Sequence, residues 1–91
     1  MAQIRIPSPL RKLTNDVEIV KSDAGSLAEA IDGLEQDFPG IKERLCDEAG
    51  QIRRFVNIYV NGEDVRFLDN VATKLGPNDD VSIVPAVAGG A

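Results

Sequence analysis

The chain ends in two consecutive glycines, Gly89-Gly90, followed by a single alanine, Ala91. Because glycine has no side chain, a carboxylate on a thin stem of small residues can enter a narrow active site where larger side chains would collide. Ala88 and the two residues before it are no larger than valine. We therefore predict a flexible tail over residues 86–91, attached to a folded domain of residues 1–85.

Other candidates for chemistry are few, because the sequence contains no histidine. This absence removes the commonest general base near neutral pH and excludes histidine-based hydrolytic triads and zinc sites. Cys46 is the single cysteine, in a segment (46–51) that is predicted to be an exposed loop. The charges of Asp47 and Glu48 are expected to raise the pKa of its thiol and suppress the thiolate, so we predict that Cys46 is unreactive.

The acidic pairs Glu63-Asp64 and Asp79-Asp80 fall where turns are expected, and we interpret both as solvated turn residues. The sequence has no nucleotide-binding loop of the G-x-x-x-x-G-K-[ST] type, and one cysteine cannot hold an iron–sulfur cluster. The chain end is therefore the strongest candidate for chemistry. Taken alone it is a weak signal, because frayed glycine-containing termini are common.

A β-β-α-β-β-β order is predicted for the domain that carries this tail. The helix starts at Ser26, which forms a capping box with Glu29, and it ends before Pro39-Gly40 after an apolar stripe that reaches Phe38. Asn61-Gly62 suits a type I′ hairpin. Alternation of apolar residues predicts strands over 3–7, 16–21, 54–60, 65–67 and 81–84, with extra helical turns in 41–45 and 68–75 and a turn at 76–80.

The composition is that of a single small globular domain: 91 residues, 43% hydrophobic and 27% charged. The net charge of −5, without a basic stripe, argues against a nucleic-acid partner. No apolar run is long enough to suggest a membrane partner or a signal peptide, and a lone cysteine agrees with a reducing compartment. We therefore expect the protein to be cytoplasmic.

Two stretches, residues 54–67 and 81–90, resemble the β-grasp sulfur carriers of the ThiS and MoaD type, which serve thiamine and molybdopterin biosynthesis. The sequence looks most similar to the carrier used for cysteine synthesis. With Ile4-Arg5-Ile6-Pro7 and the capped helix, the similarity spans nearly the whole chain. It implies an α+β, ubiquitin-like β-grasp fold in which a mixed sheet of four to five strands packs on one main helix.

In that family an E1-like activating enzyme adenylates the carboxylate of the last glycine, using ATP and magnesium, and sulfur then displaces the adenylate. The product is a thiocarboxylate that supplies sulfur to an acceptor synthase. The resemblance places this reaction at Gly90 and implies a carrier that is not an enzyme and binds no cofactor. Ala91 departs from the family's Gly-Gly end, and is either removed by a metalloprotease or an artefact of the sequence.

A partner surface follows from the alternation of side chains along the strands. If Val56, Ile58 and Val60 face the helix, the neighbouring positions of the same strand face outward. The same alternation turns Val81 and Ile83 inward on the last strand. Three residues are therefore predicted to form an exposed apolar surface beside the tail, termed here the outer patch: Phe55, Tyr59 and Val84.

Two other functions fit the same features. A ubiquitin-like modifier would be joined to lysines of target proteins through Gly90, and it needs the same activation as a carrier. A β-grasp interaction module with an incidental tail would need none. The sequence does not identify the final sulfur acceptor, whether cysteine or another sulfur-containing metabolite or cofactor.

Overall fold

The computed structural model describes residues 1–85, which contain one five-stranded sheet and two α-helices. The sheet order is β2-β1-β5-β3-β4. The helices, α1 (Leu27–Asp37) and α2 (Ile41–Leu45), follow the second strand. The strands are β1 (Ala2–Arg5), β2 (Ile19–Ser22), β3 (Val56–Val60), β4 (Glu63–Asp64) and β5 (Asp80–Pro85).

The neighbouring strands β1 and β5 run parallel, and every other neighbouring pair in this sheet is antiparallel. One face of the mixed sheet is covered by α1, so that the helix and the sheet share one hydrophobic core. This arrangement confirms the predicted ubiquitin-like β-grasp fold. The core includes Ile4, Ile6, Leu27, Ala30, Ile31, Leu34, Ile41, Leu45, Val56, Ile58, Val65, Val81 and Ile83.

The start of α1 confirms the predicted capping box. The Ser26 hydroxyl accepts a hydrogen bond from the Glu29 backbone N–H at 3.3 Å, and the Glu29 carboxylate accepts one from the Gly25 N–H at 3.1 Å. The Ser26 bond satisfies one unpaired donor of the first helical turn, and the Glu29 carboxylate reaches back to the N–H of the residue that precedes the cap. The helix ends at Asp37, before Pro39-Gly40, as predicted.

The spacing of Val17 and Ile19 predicts a second strand that begins at Asp16 and has these two side chains on its apolar face, and the structure differs from this prediction. In the structure β2 begins at Ile19, and both of these side chains are exposed. Val20 packs against the core instead, because it pairs with the buried Ile4 and cross-strand partners share a face of the sheet. The connection that precedes β2 contains a 3₁₀ helix, Ser8–Leu13.

The predicted return strand over 65–67 is also wrong. The Asn61-Gly62 turn has positive φ at both residues, as a type I′ turn requires, but β4 contains only Glu63–Asp64. The Asp64 carboxylate then accepts a hydrogen bond from the Arg66 N–H at 2.9 Å and begins a 3₁₀ helix, Val65–Phe67. The cap turns the chain out of the sheet after two residues.

A short 3₁₀ helix at Asn70–Ala72 confirms the helical turn predicted within 68–75. The turn that follows is closed by hydrogen bonds between Gly76 and Asp79, and it leads directly into β5. Of the helices in residues 1–85, none has the length and apolar character needed to span a lipid bilayer.

Candidate functional site

The outer face of the sheet, opposite α1, carries the outer patch. On β3 the side chains of Val56, Ile58 and Val60 are buried, which confirms the predicted alternation. On β5 the same holds for the buried pair Val81 and Ile83. The predicted facing of β3 and β5 is therefore correct. Because side chains alternate along a strand, those between the buried residues face outward.

Tyr59 and Val84, two of the three residues of the outer patch, lie on the neighbouring strands β3 and β5. Val84 is 46% exposed and pairs directly with Asn57, the residue two positions before Tyr59. Diagonal neighbours of this kind lie roughly 7–8 Å apart in an antiparallel pair. Phe55 is 52% exposed and directly precedes β3. Tyr59 is partly buried, between its cross-strand partners Ser82 and Asp64.

The patch adjoins the end of the described chain. Pro85, the last residue of β5, pairs with Val56, so residues 53–57 lie beside the point from which the tail continues. The predicted tail residues Ala88, Gly89 and Gly90, and the predicted processing residue Ala91, lie outside the described residues. Their roles, and the partner-binding role of the outer patch, stay predictions.

Sequence reasoning missed the polar side chain that borders this surface. The guanidinium of Arg66 donates hydrogen bonds to the Asn57 side-chain oxygen at 2.7 Å and to the carbonyls of Arg53 and Val56 at 2.9 and 2.7 Å. The Asp64 carboxylate lies 4.0 Å from the same guanidinium. An aspartate side chain commonly accepts a hydrogen bond from the backbone N–H two residues later, so Asp64 is the sequence signal that points to this turn.

Phe67 was also missed as a surface residue, because it was assigned to a strand. It is 84% exposed, and the adjacent Leu68 is 37% exposed. On the same face of the sheet as the outer patch, Arg5 on β1 lies opposite Ser82, the cross-strand partner of Tyr59, and forms an ion pair with Asp80 at 3.1 Å. Both side chains are well exposed, so this pair adds little to stability.

Cys46 is buried at 4% exposure, so the prediction of an exposed loop at this position is wrong. The backbone of Cys46 forms an isolated β-bridge with that of Ile52, and its side chain belongs to the hydrophobic core. Burial is the main cause that raises the pKa of its thiol; the Asp47 charge adds to the rise and Lys42 opposes it. The expected direction of the pKa shift is correct, but its main cause is burial and not the neighbouring carboxylates.

The acidic pairs divide between turns and strands. Asp79 lies in a turn, where hydrogen bonds from the Gly76 N–H at 2.6 Å and the Asn61 side-chain amide at 2.9 Å lower the pKa of its carboxyl group. Glu63 is exposed, whereas the Asp64 side chain is only 18% exposed and caps the following turn. The prediction of a solvated turn residue is therefore wrong for Asp64.

A cleft of about 600 Å³ lies on the helical side of the molecule. It shares no lining residue with the outer patch; it is lined by Glu35, Gly40, Lys42, Glu43, Cys46, Asp47, Glu48 and Arg53. The Glu35 carboxylate accepts hydrogen bonds from the backbone N–H groups of Gly40 and Lys42, and so serves the start of α2. No cluster of three or more potential metal ligands occurs among residues 1–85.

The sequence model of the ThiS family matches residues 4–90 of the chain. The sulfur carrier protein CysO of Mycobacterium tuberculosis is 46% identical over 89 residues, 96% of each chain. Small archaeal modifier protein 3 of Haloferax volcanii is 37% identical over 68 residues, 75% of this chain and 73% of that protein. A chain in the crystal structure of the Amycolatopsis orientalis BexX/CysO complex superposes with a TM-score of 0.93 at 39% identity, covering 99% of this chain and 100% of that chain.

Proposed function

This chain belongs to the ThiS family, and we propose that it is a sulfur carrier whose Gly90 carboxylate is adenylated by a partner enzyme and converted to a thiocarboxylate. The thiocarboxylate then donates its sulfur in the biosynthesis of cysteine or of another sulfur-containing metabolite or cofactor. The observation that carries the proposal is the nearly full-length identity to a sulfur carrier protein.

The chemistry needs no catalytic group on the carrier. A carboxylate oxygen of Gly90 attacks the α-phosphorus of ATP, and pyrophosphate leaves; a sulfur nucleophile then attacks the carbonyl carbon, and AMP leaves. Activation is required because a free carboxylate resists nucleophilic attack whereas an acyl-adenylate has a good leaving group. ATP and magnesium act in the activating enzyme, so the carrier is a substrate and not an enzyme. A sequence without histidine is compatible with this division of labour.

The proposal includes removal of Ala91 before activation, because a peptide bond at Gly90 leaves no carboxylate to adenylate. The match to the ThiS family ends at Gly90, which supports this position as the functional terminus. A partner metalloprotease that cleaves after Gly90 would supply the free carboxylate.

The outer patch is the proposed docking surface for the activating enzyme and, in turn, for the sulfur-accepting synthase. Two of its side chains, Phe55 and Val84, are about half exposed, and the patch adjoins the strand end from which the tail continues. Exposed apolar clusters of this kind commonly mark protein interfaces. A related chain was crystallised in a complex with BexX, which supports the expectation of a protein partner.

Intact-mass measurement tests the proposed function. The form that ends at Gly90 is incubated with the activating enzyme, ATP and a sulfide source, and its mass is expected to rise by the difference between sulfur and oxygen. A variant that lacks Gly89 and Gly90 is the matched control and should gain no mass. If the Gly90 form keeps its mass while the enzyme loads another carrier in the same assay, the proposed function is wrong.

A modifier function is the second candidate, because the Haloferax volcanii relative is a modifier protein by name. A modifier would use the same Gly90 adenylate but would transfer its acyl group to a lysine amine. In cell extracts a carrier appears as the free, sulfur-bearing chain, whereas a modifier appears in higher-mass conjugates. If removal of residues 89–91 changes neither pattern, the chain is an interaction module with an incidental tail.

A further inference from the structure

Arg66 makes more side-chain contacts with distant backbone than its position in a three-residue 3₁₀ helix requires. Its Nη2 donates to the carbonyls of both Arg53 and Val56, and its Nη1 donates to the Asn57 side chain. The arginine side chain is 33% exposed. Its contacts are therefore partly shielded from water, and a charged donor strengthens each of them.

The segment that Arg66 holds is the turn that presents Phe55. The Val56 N–H donates to the Arg53 carbonyl at 3.0 Å and closes this turn, and Arg66 binds the carbonyls at both of its ends. Phe55 lies between these two points and is 52% exposed. Because about half of Phe55 is exposed, we infer that the turn, more than side-chain packing, sets where the residue points.

The residues that Arg66 contacts are paired with Val84 of the outer patch and with Pro85, the last residue before the predicted tail, termed here the exit of the tail. Asn57, which accepts from Arg66, lies directly opposite Val84, and Val56 lies opposite Pro85. The guanidinium thus holds the first residues of β3, and these pair with the last described residues of β5. An aromatic anchor contributes fully to binding only when it is held in its bound orientation before contact, since ordering it on binding costs free energy.

We propose that Arg66 is a positioning residue for partner recognition, which acts by holding the 53–57 segment, and with it Phe55 and the exit of the tail, in the orientation that the activating enzyme binds. This inference rests on the proposed function and deepens it. It assigns to Arg66 no contact with the partner and no part in the adenylation itself.

The test uses the form ending at Gly90 as substrate for the activating enzyme. Arg66→Gln is expected to raise KM for the carrier about tenfold, which corresponds to about 1.4 kcal/mol, with kcat nearly unchanged. Arg11→Gln is the matched control, because Arg11 is 34% exposed and also donates to a backbone carbonyl, that of Ile6, which belongs neither to the 53–57 segment nor to the outer patch. It should leave KM within about twofold of the wild type.

Two further variants separate positioning from direct contact. Arg66→Lys keeps the charge but has a single nitrogen, which cannot reach the Asn57 side chain and both carbonyls at once, so it should behave like Arg66→Gln. If Arg66→Lys restores the wild-type KM, the charge itself contacts the partner and the positioning role is wrong. In a Phe55→Ala background, Arg66→Gln should raise KM much less than it does alone, because its effect passes through Phe55. Full additivity would also overturn the proposal.

Amide hydrogen exchange gives a readout without any partner. Arg66→Gln should accelerate exchange at the Val56 amide and leave the amides of α1 near their wild-type rates. Unchanged exchange at Val56 would show that Arg66 does not hold the turn. If the wild type is itself not adenylated, the proposed function fails and this role fails with it. If the wild type is active and Arg66→Gln has the wild-type KM, only the role of Arg66 is refuted.

Discussion

Val84 lies directly across the β3–β5 pair from Asn57, with both side chains on the outer face of the sheet. This pairing places the exposed Val84 beside β3. That strand carries Tyr59 and directly follows the turn that contains Phe55. The reacting carboxylate, by contrast, is proposed to lie at Gly90, five residues beyond the end of β5 at Pro85. Recognition by the sheet and chemistry at the tail are therefore expected to be separable.

Tyr59→Ala should weaken binding of the activating enzyme by roughly 1–3 kcal/mol if the ring is a central anchor of the interface. Because the ring lies on the outer face, the free energy of unfolding should change little. Ile19→Ala is the control: it truncates an exposed side chain on the same face, at the β2 edge. Titration calorimetry with circular dichroism measures both effects. Unfolding of Tyr59→Ala, with normal affinity in its folded fraction, would contradict the proposed surface.

Ser26→Ala should lower the free energy of unfolding by about 1 kcal/mol, because the Glu29 N–H loses its cap. The backbone bond from the Leu27 N–H to the Thr73 carbonyl remains and limits the loss. Ser26→Asp keeps a capping oxygen and should stay close to the wild type. Urea denaturation measures the difference, and equal midpoints for wild type and Ser26→Ala would show that the cap contributes nothing.

Asp79→Asn should change how stability depends on pH. Hydrogen bonds from Gly76 and Asn61 lower the pKa of the Asp79 carboxyl in the folded state, so the ionised group stabilises the fold above its ordinary pKa of about 3.9. This contribution is lost as the pH falls through the lowered folded-state value. The wild type should therefore exceed Asp79→Asn in stability at roughly neutral pH, and the gap should narrow as the pH falls below the ordinary aspartate pKa. A gap that stays constant over this range would contradict the assignment.

The features that sequence reasoning found are those set by local periodicity. The apolar stripe of α1, its Ser26 cap, and the inward facing of Val56 and Ile58 each follow from neighbours within a few residues. Apolar residues repeat every 3.6 residues in a helix and every two residues in a strand. A few neighbouring residues are therefore enough to show either pattern. The resemblance to known carriers then supplied the topology, which periodicity alone does not give.

The features that were missed depend on contacts between distant segments. Val20 replaces Ile19 on the inner face because of its register with Ile4, and nothing within β2 determines that register. Arg66 reaches Arg53, 13 residues away, only because the Asp64 cap ends β4 early. Cys46 was assigned to a loop from its acidic neighbours, although cysteine is among the residue types most often buried.

The free carboxylate of Gly90 is the group that the activating enzyme is proposed to modify. The direct measurement is pyrophosphate release when the enzyme and ATP are mixed with a form that ends at Gly90, and separately with the form that ends at Ala91. Pyrophosphate should be released with the Gly90 form, and none above background with the Ala91 form, which has no carboxylate at Gly90. Equal release from both forms, or release from neither, would contradict this proposal.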